Sequence, residues 1–183
     1  MIIDYETFPL SRKEIRSFAK MMRTILGIKT LKFPVLDVLE SIYDLYGVTY
    51  EIMKDEVIDA KNGNQVMCYL QKQIEGQYSI VIRQSVYDNA CNGDGCSIDY
   101  ICHEICHFFL IEVFGYYPIY NVCLSENRQI PKYRSMEWQA KALCGEVMID
   151  YKKCSNMTIF EIMKKTGSSI DQACFYKMFV ANK

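Results

Sequence analysis

The sequence predicts an α+β protein in which helices surround a small antiparallel sheet of about three strands, with one central buried helix. Capped helical patterns lie before residue 48 and after residue 134, and three short β-branched and aromatic runs lie between 48 and 83. A long apolar helical pattern covers 98–114. The 183 residues, 50% of them hydrophobic, suit one sizeable core, so we expect one domain over 1–183.

Residues 1–47 are predicted to form an N-terminal helical scaffold. Ser11 and Glu14 fit a capping box, and apolar residues then recur at helical spacing up to Gly27. Pro34 can open a second helix, which Gly47 would end. That second helix carries acidic residues and no Lys or Arg, so the pair does not fit a DNA-reading helix-turn-helix.

Residues 48–115 are predicted to hold the sheet and the central helix. The stretch 48–53 has the composition of a strand, and 65–70 with 78–83 fit a hairpin. An acidic segment and a turn at 61–64 follow the first strand, and 89–95 is predicted to be a loop. Ser97 is the expected N-cap of the central helix, which would end near Gly115. Its apolar residues lie on nearly every side, which indicates burial.

Beyond the central helix, residues 116–134 carry two prolines and little periodicity, which predicts a long loop of the kind that is usually functional or mobile. Residues 135–183 are predicted to form the C-terminal helices. Ser135 would cap the first, with Glu137 in its first turn. A capping box at Thr158 opens a short helix that ends at Gly167, and a last helix runs from 169 to about 181.

The charge balance bears on which partners the protein can bind, and the N-terminal residues and cysteines bear on its cellular compartment. The 21 basic and 22 acidic residues give a net charge of −1 without a long like-charge run, so direct binding of nucleic acid or membrane through charge is not expected. The N-terminal residues are acidic where a secretory signal would be basic, and no apolar run reaches membrane-spanning length. We expect a soluble, cytoplasmic protein whose nine cysteines are reduced.

Both histidines of the chain fall within His103-Glu-Ile-Cys-His107. On a helix, residues four apart differ by about 40° of rotation and about 6 Å of rise, so both imidazoles would share one face and could hold one metal ion. Glu104 lies one step round the helix, where a carboxylate can act as a general base instead of a ligand. Two random histidines would show this pattern in only about one chain in a thousand, which argues against two unrelated core residues. The motif is that of zinc-dependent metallopeptidases.

A third ligand is needed, because a catalytic zinc site normally takes three protein ligands. With no further histidine, it must be an acidic residue or a cysteine. We favour Glu137, since a helix beginning there could pack against the first with its carboxylate towards the metal. Glu126, Asp150 and the cysteines remain alternatives. Glu112, five residues after His107, would point away from the histidine face.

Cys102 and Cys106 offer a different interpretation, a structural Cys/His site. Each precedes one of the two histidines. The two thiols would share a face about 100° from the histidine face, so one ion could not easily collect all four side chains.

In the catalytic interpretation, Glu104 accepts a proton from water and later passes it to the leaving amine. The developing oxyanion would need a hydrogen-bond donor. Candidates that flank the site in sequence are Tyr116, Tyr117, Tyr133 and Arg134, and the sequence does not rank them.

From Pro34 to near the C-terminus, the chain resembles the ImmA/IrrE family of metallopeptidases. The similarity lies in the Pro34 helix ending in Gly47-Val-Thr, the strand before the site, His103-Glu-Ile-Cys-His107, Glu137-Trp-Gln-Ala, and the helix pair at 158–173. It implies a zincin-like fold, Zn²⁺ bound by His103, His107 and Glu137, and Glu104 as the base. Two helix-packing stretches, 143–144 and 148–150, depart from the family's usual pattern.

The resemblance also implies a function. Family members look like regulators that cleave helix-turn-helix repressors, often in phages and mobile elements. We therefore expect a zinc-dependent endopeptidase whose protein substrate is a separately encoded repressor of this type. The alternative is a metal-containing anti-repressor that acts by contact alone. Glu104 favours the peptidase, because a purely structural metal site has no need of that carboxylate.

Overall fold

The computed structural model describes residues 4–119 and 130–179, which form an α+β structure, as the sequence predicts. The elements of these residues are α1 (Arg12–Ile25), α2 (Val35–Tyr46), β1 (Thr49–Met53), α3 (Asp55–Asn62), β2 (Cys68–Lys72), β3 (Tyr78–Arg83), α4 (Gln84–Cys91), α5 (Gly95–Phe108), α6 (Met136–Met148), α7 (Ile159–Thr166) and α8 (Ile170–Phe179). Within this part of the chain, every helix is too short or too polar to cross a bilayer.

The first two helices begin and end as the sequence predicts. Ser11 and Glu14 form the capping box of α1, which buries Ile15, Ala19 and Met22. Helix α2 ends at Gly47, whose φ of 68° lies in the left-handed region where a side chain would be strained. Its buried residues are Val35, Val38, Leu39 and Ile42.

The sheet is mixed, so the expectation of an antiparallel sheet is wrong for one of its two strand pairs. The strand order is β1-β3-β2, with β2 antiparallel to β3 and β1 parallel to β3. The predicted hairpin is therefore present, but its second strand lies between the other two. Two parallel strands need a long crossover connection, and α3 together with β2 provides it. Strand β3 is buried from 79 to 83, as expected of a central strand.

Helices α3 and α4 were not predicted, because neither has a side-chain cap in the sequence that would mark its start. Contacts with distant residues hold them instead. Arg83 forms an ion pair with Asp59 on α3 and donates to the Val66 carbonyl at 2.6 Å. At the start of α4, the Ser85 amide donates to Asp55 Oδ1 at 3.1 Å.

Helix α5 is largely buried among the other elements. It packs against α2, α4, α6 and two strands, and its buried residues include Ile101, Cys102, Ile105 and Cys106. The N-cap is Asp94 and not Ser97, whose amide donates to Asp94 Oδ2 at 2.8 Å. Gly95 permits close packing with the segment before α8, since a Cβ there would lie 2.9 Å from the backbone of Ser168. A π-helical turn, Phe109–Val113, extends the helix towards Gly115.

The C-terminal helices follow the predicted capping residues. Ser135 caps α6, and Thr158 with Glu161 forms the capping box of α7. Of the predicted loop 116–134, residues 120–129 lie outside the described part of the chain, and Lys132–Arg134 form a short 3-10 helix. The end expected near 181 for the last helix also lies outside it.

Candidate metal centre

His103 and His107 lie on one face of α5, with ring centroids 4.5 Å apart and Nε2 atoms 3.0 Å apart. His107 is buried and His103 is half-buried. Both imidazoles therefore direct the same nitrogen to one point, as the spacing of four residues requires on a helix.

Glu137 reaches the same point from the first turn of α6. Its Oε2 lies 3.2 Å from His103 Nε2, and its Oε1 lies 3.3 Å from His107 Nε2. The Ser135 cap begins this turn, and Asp4 Oδ1 accepts a hydrogen bond from the Glu137 amide at 3.1 Å. Together these contacts fix where the carboxylate enters the site.

These three side chains are able to hold a metal ion, because their ligand atoms all lie within 4.8 Å of one another. Two atoms bound tetrahedrally at about 2.0–2.1 Å from one ion are separated by about 3.3 Å. The separations of 3.0 to 3.3 Å among these nitrogens and oxygens match that value. The residues present therefore fit a small divalent cation such as Zn²⁺, for which imidazole and carboxylate are ordinary ligands.

Of the alternative ligands, those within the described ranges do not join this group. Among residues 4–119 and 130–179, no second cluster of three or more His, Cys, Asp or Glu side chains could hold an ion. Glu112 instead accepts a hydrogen bond from the Tyr78 hydroxyl at 2.7 Å, and Glu126 lies outside the described residues. Asp150 is bound to the backbone amides of the turn that follows α6.

The electrostatics of the cluster favour an ionised carboxylate. Burial opposes ionisation of Glu137, but hydrogen bonds and charge from both histidines outweigh it and hold the pKa of Glu137 well below its usual range. Burial likewise opposes protonation of His107, yet Glu137, Glu104 and Asp4 raise its pKa. A negative field thus surrounds the point where the ligand atoms meet, which suits a cation.

Glu104 lies beside the cluster and outside the ligand group. Its Oε2 accepts a hydrogen bond from the Leu70 amide of β2 at 2.9 Å. Since β2 is an edge strand, this amide points away from β3 and towards α5. The carboxylate is half-buried and oriented by the backbone, an arrangement suited to proton transfer beside a metal ion.

The cluster opens into a cleft of about 1420 Å³ between β2, α5, α6 and α8. Of the four oxyanion candidates, only Tyr117 lines this cleft. Tyr116 packs against the Phe18 ring with centroids 5.5 Å apart, and Arg134 forms an ion pair with Glu6 at 2.5 Å. Tyr133 is exposed at 53%.

Cys102, Cys106 and Cys144 are buried between α5 and α6, behind the histidine face. Burial raises the pKa of the Cys106 thiol well above its usual value, so the thiol stays neutral. The eight cysteines in the described ranges are free thiols, and Cys123 lies outside these ranges. The thiol groups of Cys102, Cys106 and Cys144 therefore act as small packing side chains.

The sequence did not single out several residues that line the cleft, among them Asp99, Trp138, Arg12 and Lys141. Of these residues, Trp138 was the easiest to predict as part of the site, because it is the only tryptophan of the chain and follows Glu137 directly. Asp99 lies one helical turn before His103, which places it on the same face of α5. Arg12 comes from α1 and had no local signal.

Comparison with known protein families, curated proteins and solved structures finds no match to this chain. The interpretation of the site therefore depends on the chemistry of its residues, and the resemblance to the ImmA/IrrE family stays a prediction from the motifs.

Proposed function

We propose that the protein is a zinc-dependent endopeptidase of the ImmA/IrrE type with a zincin-like fold, and that His103, His107 and Glu137 hold its zinc. One observation carries the proposal. Two imidazole nitrogens and a carboxylate lie 3.0 to 3.3 Å from one another, while a second carboxylate, Glu104, stands beside them without joining the group. A metal site that serves only stability needs no such neighbour.

When bound, zinc supplies a Lewis acid that polarises the scissile carbonyl and lowers the pKa of water. Glu104 then acts as the general base. The hydrogen bond from the Leu70 amide holds its carboxylate in place, where the carboxylate accepts a proton from water. Glu104 afterwards gives this proton to the amine of the departing peptide. Tyr117, which lines the cleft and whose hydroxyl makes only a long contact of 3.5 Å with Glu112 Oε2, is the candidate donor to the oxyanion.

The outer edge of β2, apart from the Leu70 amide that already donates to Glu104, supports a peptide as the substrate. Residues 68, 70 and 72 alternate with those that bond to β3, so their amide and carbonyl groups face away from the sheet. An extended peptide can add to such an edge as a further strand. The backbone of this peptide would then pass beside Glu104 on α5 and beside Glu137 at the start of α6.

The nature of the substrate rests on the resemblance alone. We infer a helix-turn-helix repressor of a phage or mobile element, encoded separately and met in the cytoplasm. The test uses the purified, zinc-loaded protein with such a repressor encoded near its gene. Cleavage at one or a few positions is expected, with little cleavage of casein, and both a chelator and Glu104→Gln should abolish it. If Glu104→Gln protein releases the repressor from DNA equally well without a cleavage product, the protein acts by contact and the peptidase proposal fails.

A further inference from the structure

An arginine is held between two aromatic rings at the end of the cleft formed by α6 and α8. The Cζ atom of Arg12 lies 5.9 Å from the ring centroid of Trp138 and 5.3 Å from that of Phe175. All three residues line the cleft. Aromatic rings at these distances attract a guanidinium group and fix its plane, so Arg12 is oriented before any ligand arrives.

The carboxylate nearest to Arg12 is already engaged by another arginine. Glu146 is buried, and Arg16 donates to both of its oxygens, from Nε at 3.0 Å and from Nη2 at 3.1 Å. Arg12 Nη1 reaches Glu146 Oε1 only at 3.4 Å. One carboxylate thus faces two guanidinium groups, and the longer, weaker contact belongs to Arg12. Most of the Arg12 hydrogen-bonding capacity is left for another acceptor.

Lys141 adds a second cation to the lining of the cleft, three residues after Trp138 on α6. It is exposed on α6, and within the described ranges its ammonium group has no hydrogen-bond or ion-pair partner. Asp171 is the acidic residue of α8 that lines the cleft, and, besides burial, its negative charge raises the pKa of Asp99 and of Cys96 on α5. Around Glu146, the guanidinium groups of Arg12 and Arg16 face a single carboxylate, which leaves one positive charge unbalanced beside the rings of Trp138 and Phe175.

The geometry points to a carboxylate-binding subsite. We propose that Arg12 and Lys141 bind an aspartate or glutamate side chain of the polypeptide held in the cleft. This inference rests on the proposed function in taking a peptide as the occupant. Lys141 follows Glu137 by one helical turn, about 6 Å along α6. An extended peptide advances about 3.3 Å per residue, so the acidic residue lies about two positions from the scissile bond.

A binding experiment tests the subsite without requiring cleavage. A displayed library of random dodecapeptides is panned against zinc-loaded Glu104→Gln protein, and in parallel against the same protein carrying Lys141→Gln or Arg12→Gln. Peptides selected by the parent should be enriched in Asp and Glu at one position, and both added substitutions should remove that enrichment. Because Lys141 has an exposed side chain, Lys141→Gln should fold normally even if Arg12→Gln does not. Lys132→Gln removes one cleft-lining charge elsewhere and should keep the enrichment.

The fluorescence of Trp138, the only tryptophan, then reports on binding next to Arg12. Replacing the acidic residue of a selected peptide by its amide should weaken binding to the parent about tenfold or more, and should change binding to Lys141→Gln much less. Selection without acidic enrichment, or equal losses in parent and Lys141→Gln, would overturn the subsite. Acidic enrichment with no cleavage by the wild-type protein would support the subsite and count against the peptidase.

Discussion

Asp99 should make the stability of this protein depend on pH in a direction opposite to that of most carboxylates. Burial raises its pKa from 3.8 to about 6, with smaller contributions from Asp171 and Asp94, while hydrogen bonds from the Ser169 hydroxyl and from the Ser169 amide, at 3.3 Å from Oδ2, oppose the shift. Its Oδ1 is buried without a hydrogen-bond partner among the described residues. The folded state therefore binds a proton more tightly than the unfolded chain does.

The sign and size of the effect follow from linkage. A raised folded-state pKa stabilises the fold fully below about pH 4, and this contribution is lost as the pH rises through about 6. At about 1.4 kcal/mol per pH unit, the loss is at most about 3 kcal/mol, and about 1–2 kcal/mol once partial access of solvent is allowed for. In Asp99→Asn the amide oxygen can still accept from Ser169, and the pH-dependent loss should be absent.

Urea unfolding followed by circular dichroism measures the difference between Asp99→Asn and the wild type. From about pH 4 to about pH 7, the variant should gain about 1–2 kcal/mol relative to the wild type. Asp44→Asn, at an exposed position on α2, is the matched control and should show a flat difference. A flat difference for Asp99→Asn as well would refute the reasoning about its buried carboxyl group.

Replacing Cys102 and Cys106 together by Ser should lower the free energy of unfolding by about 2–4 kcal/mol, because two more strongly hydrated hydroxyl groups would be buried where thiols now pack against each other, while zinc content stays unchanged. Loss of the ion from the folded double variant would favour a Cys/His site instead. Gly95→Ala should cost about 1–3 kcal/mol in the same unfolding assay, since its Cβ would lie 2.9 Å from backbone atoms of the segment before α8. In Gly145→Ala, the new Cβ would lie 2.8 Å from the end of the flexible Gln172 side chain, which can move, so this substitution should cost less. Equal losses of stability in the two variants would contradict the close backbone packing at Gly95.

The elements that the sequence predicts well are those with local signals. The capping boxes at Ser11 and Thr158 and the glycine end at Gly47 depend on residues within one or two helical turns, and all of them are present in the structure. Capping and apolar periodicity act over the same short distance as the patterns used to recognise them.

Strand direction and the two short helices depend on contacts that a local pattern does not contain. Helix α3 is joined to β3 through Arg83 and Asp59, and the start of α4 is bound to Asp55 through Ser85. The parallel pairing of β1 with β3 likewise follows from how the whole segment between them folds. A composition rich in β-branched residues marks a strand without fixing its partner or direction.

The metal site also combines features that a local pattern predicts with features that depend on distant segments. The spacing of His103 and His107 on one helix brings their rings together, as predicted. Glu137 was chosen from its place at the start of a helix and from the resemblance, and packing of α6 against α5 brings it to the histidines. The Leu70 amide that holds Glu104 and the Arg12 guanidinium beside Trp138 come from distant segments, so no local pattern indicated them.

The zinc content of purified variants tests the metal site most directly. Wild-type protein and Glu104→Gln should each bind one zinc per chain, as measured by mass spectrometry of the metal. His107→Ala and Glu137→Ala should lose it, because removal of one of three ligands sharply weakens binding. Full zinc occupancy in folded Glu137→Ala protein would contradict the assignment of His103, His107 and Glu137 as the ligands.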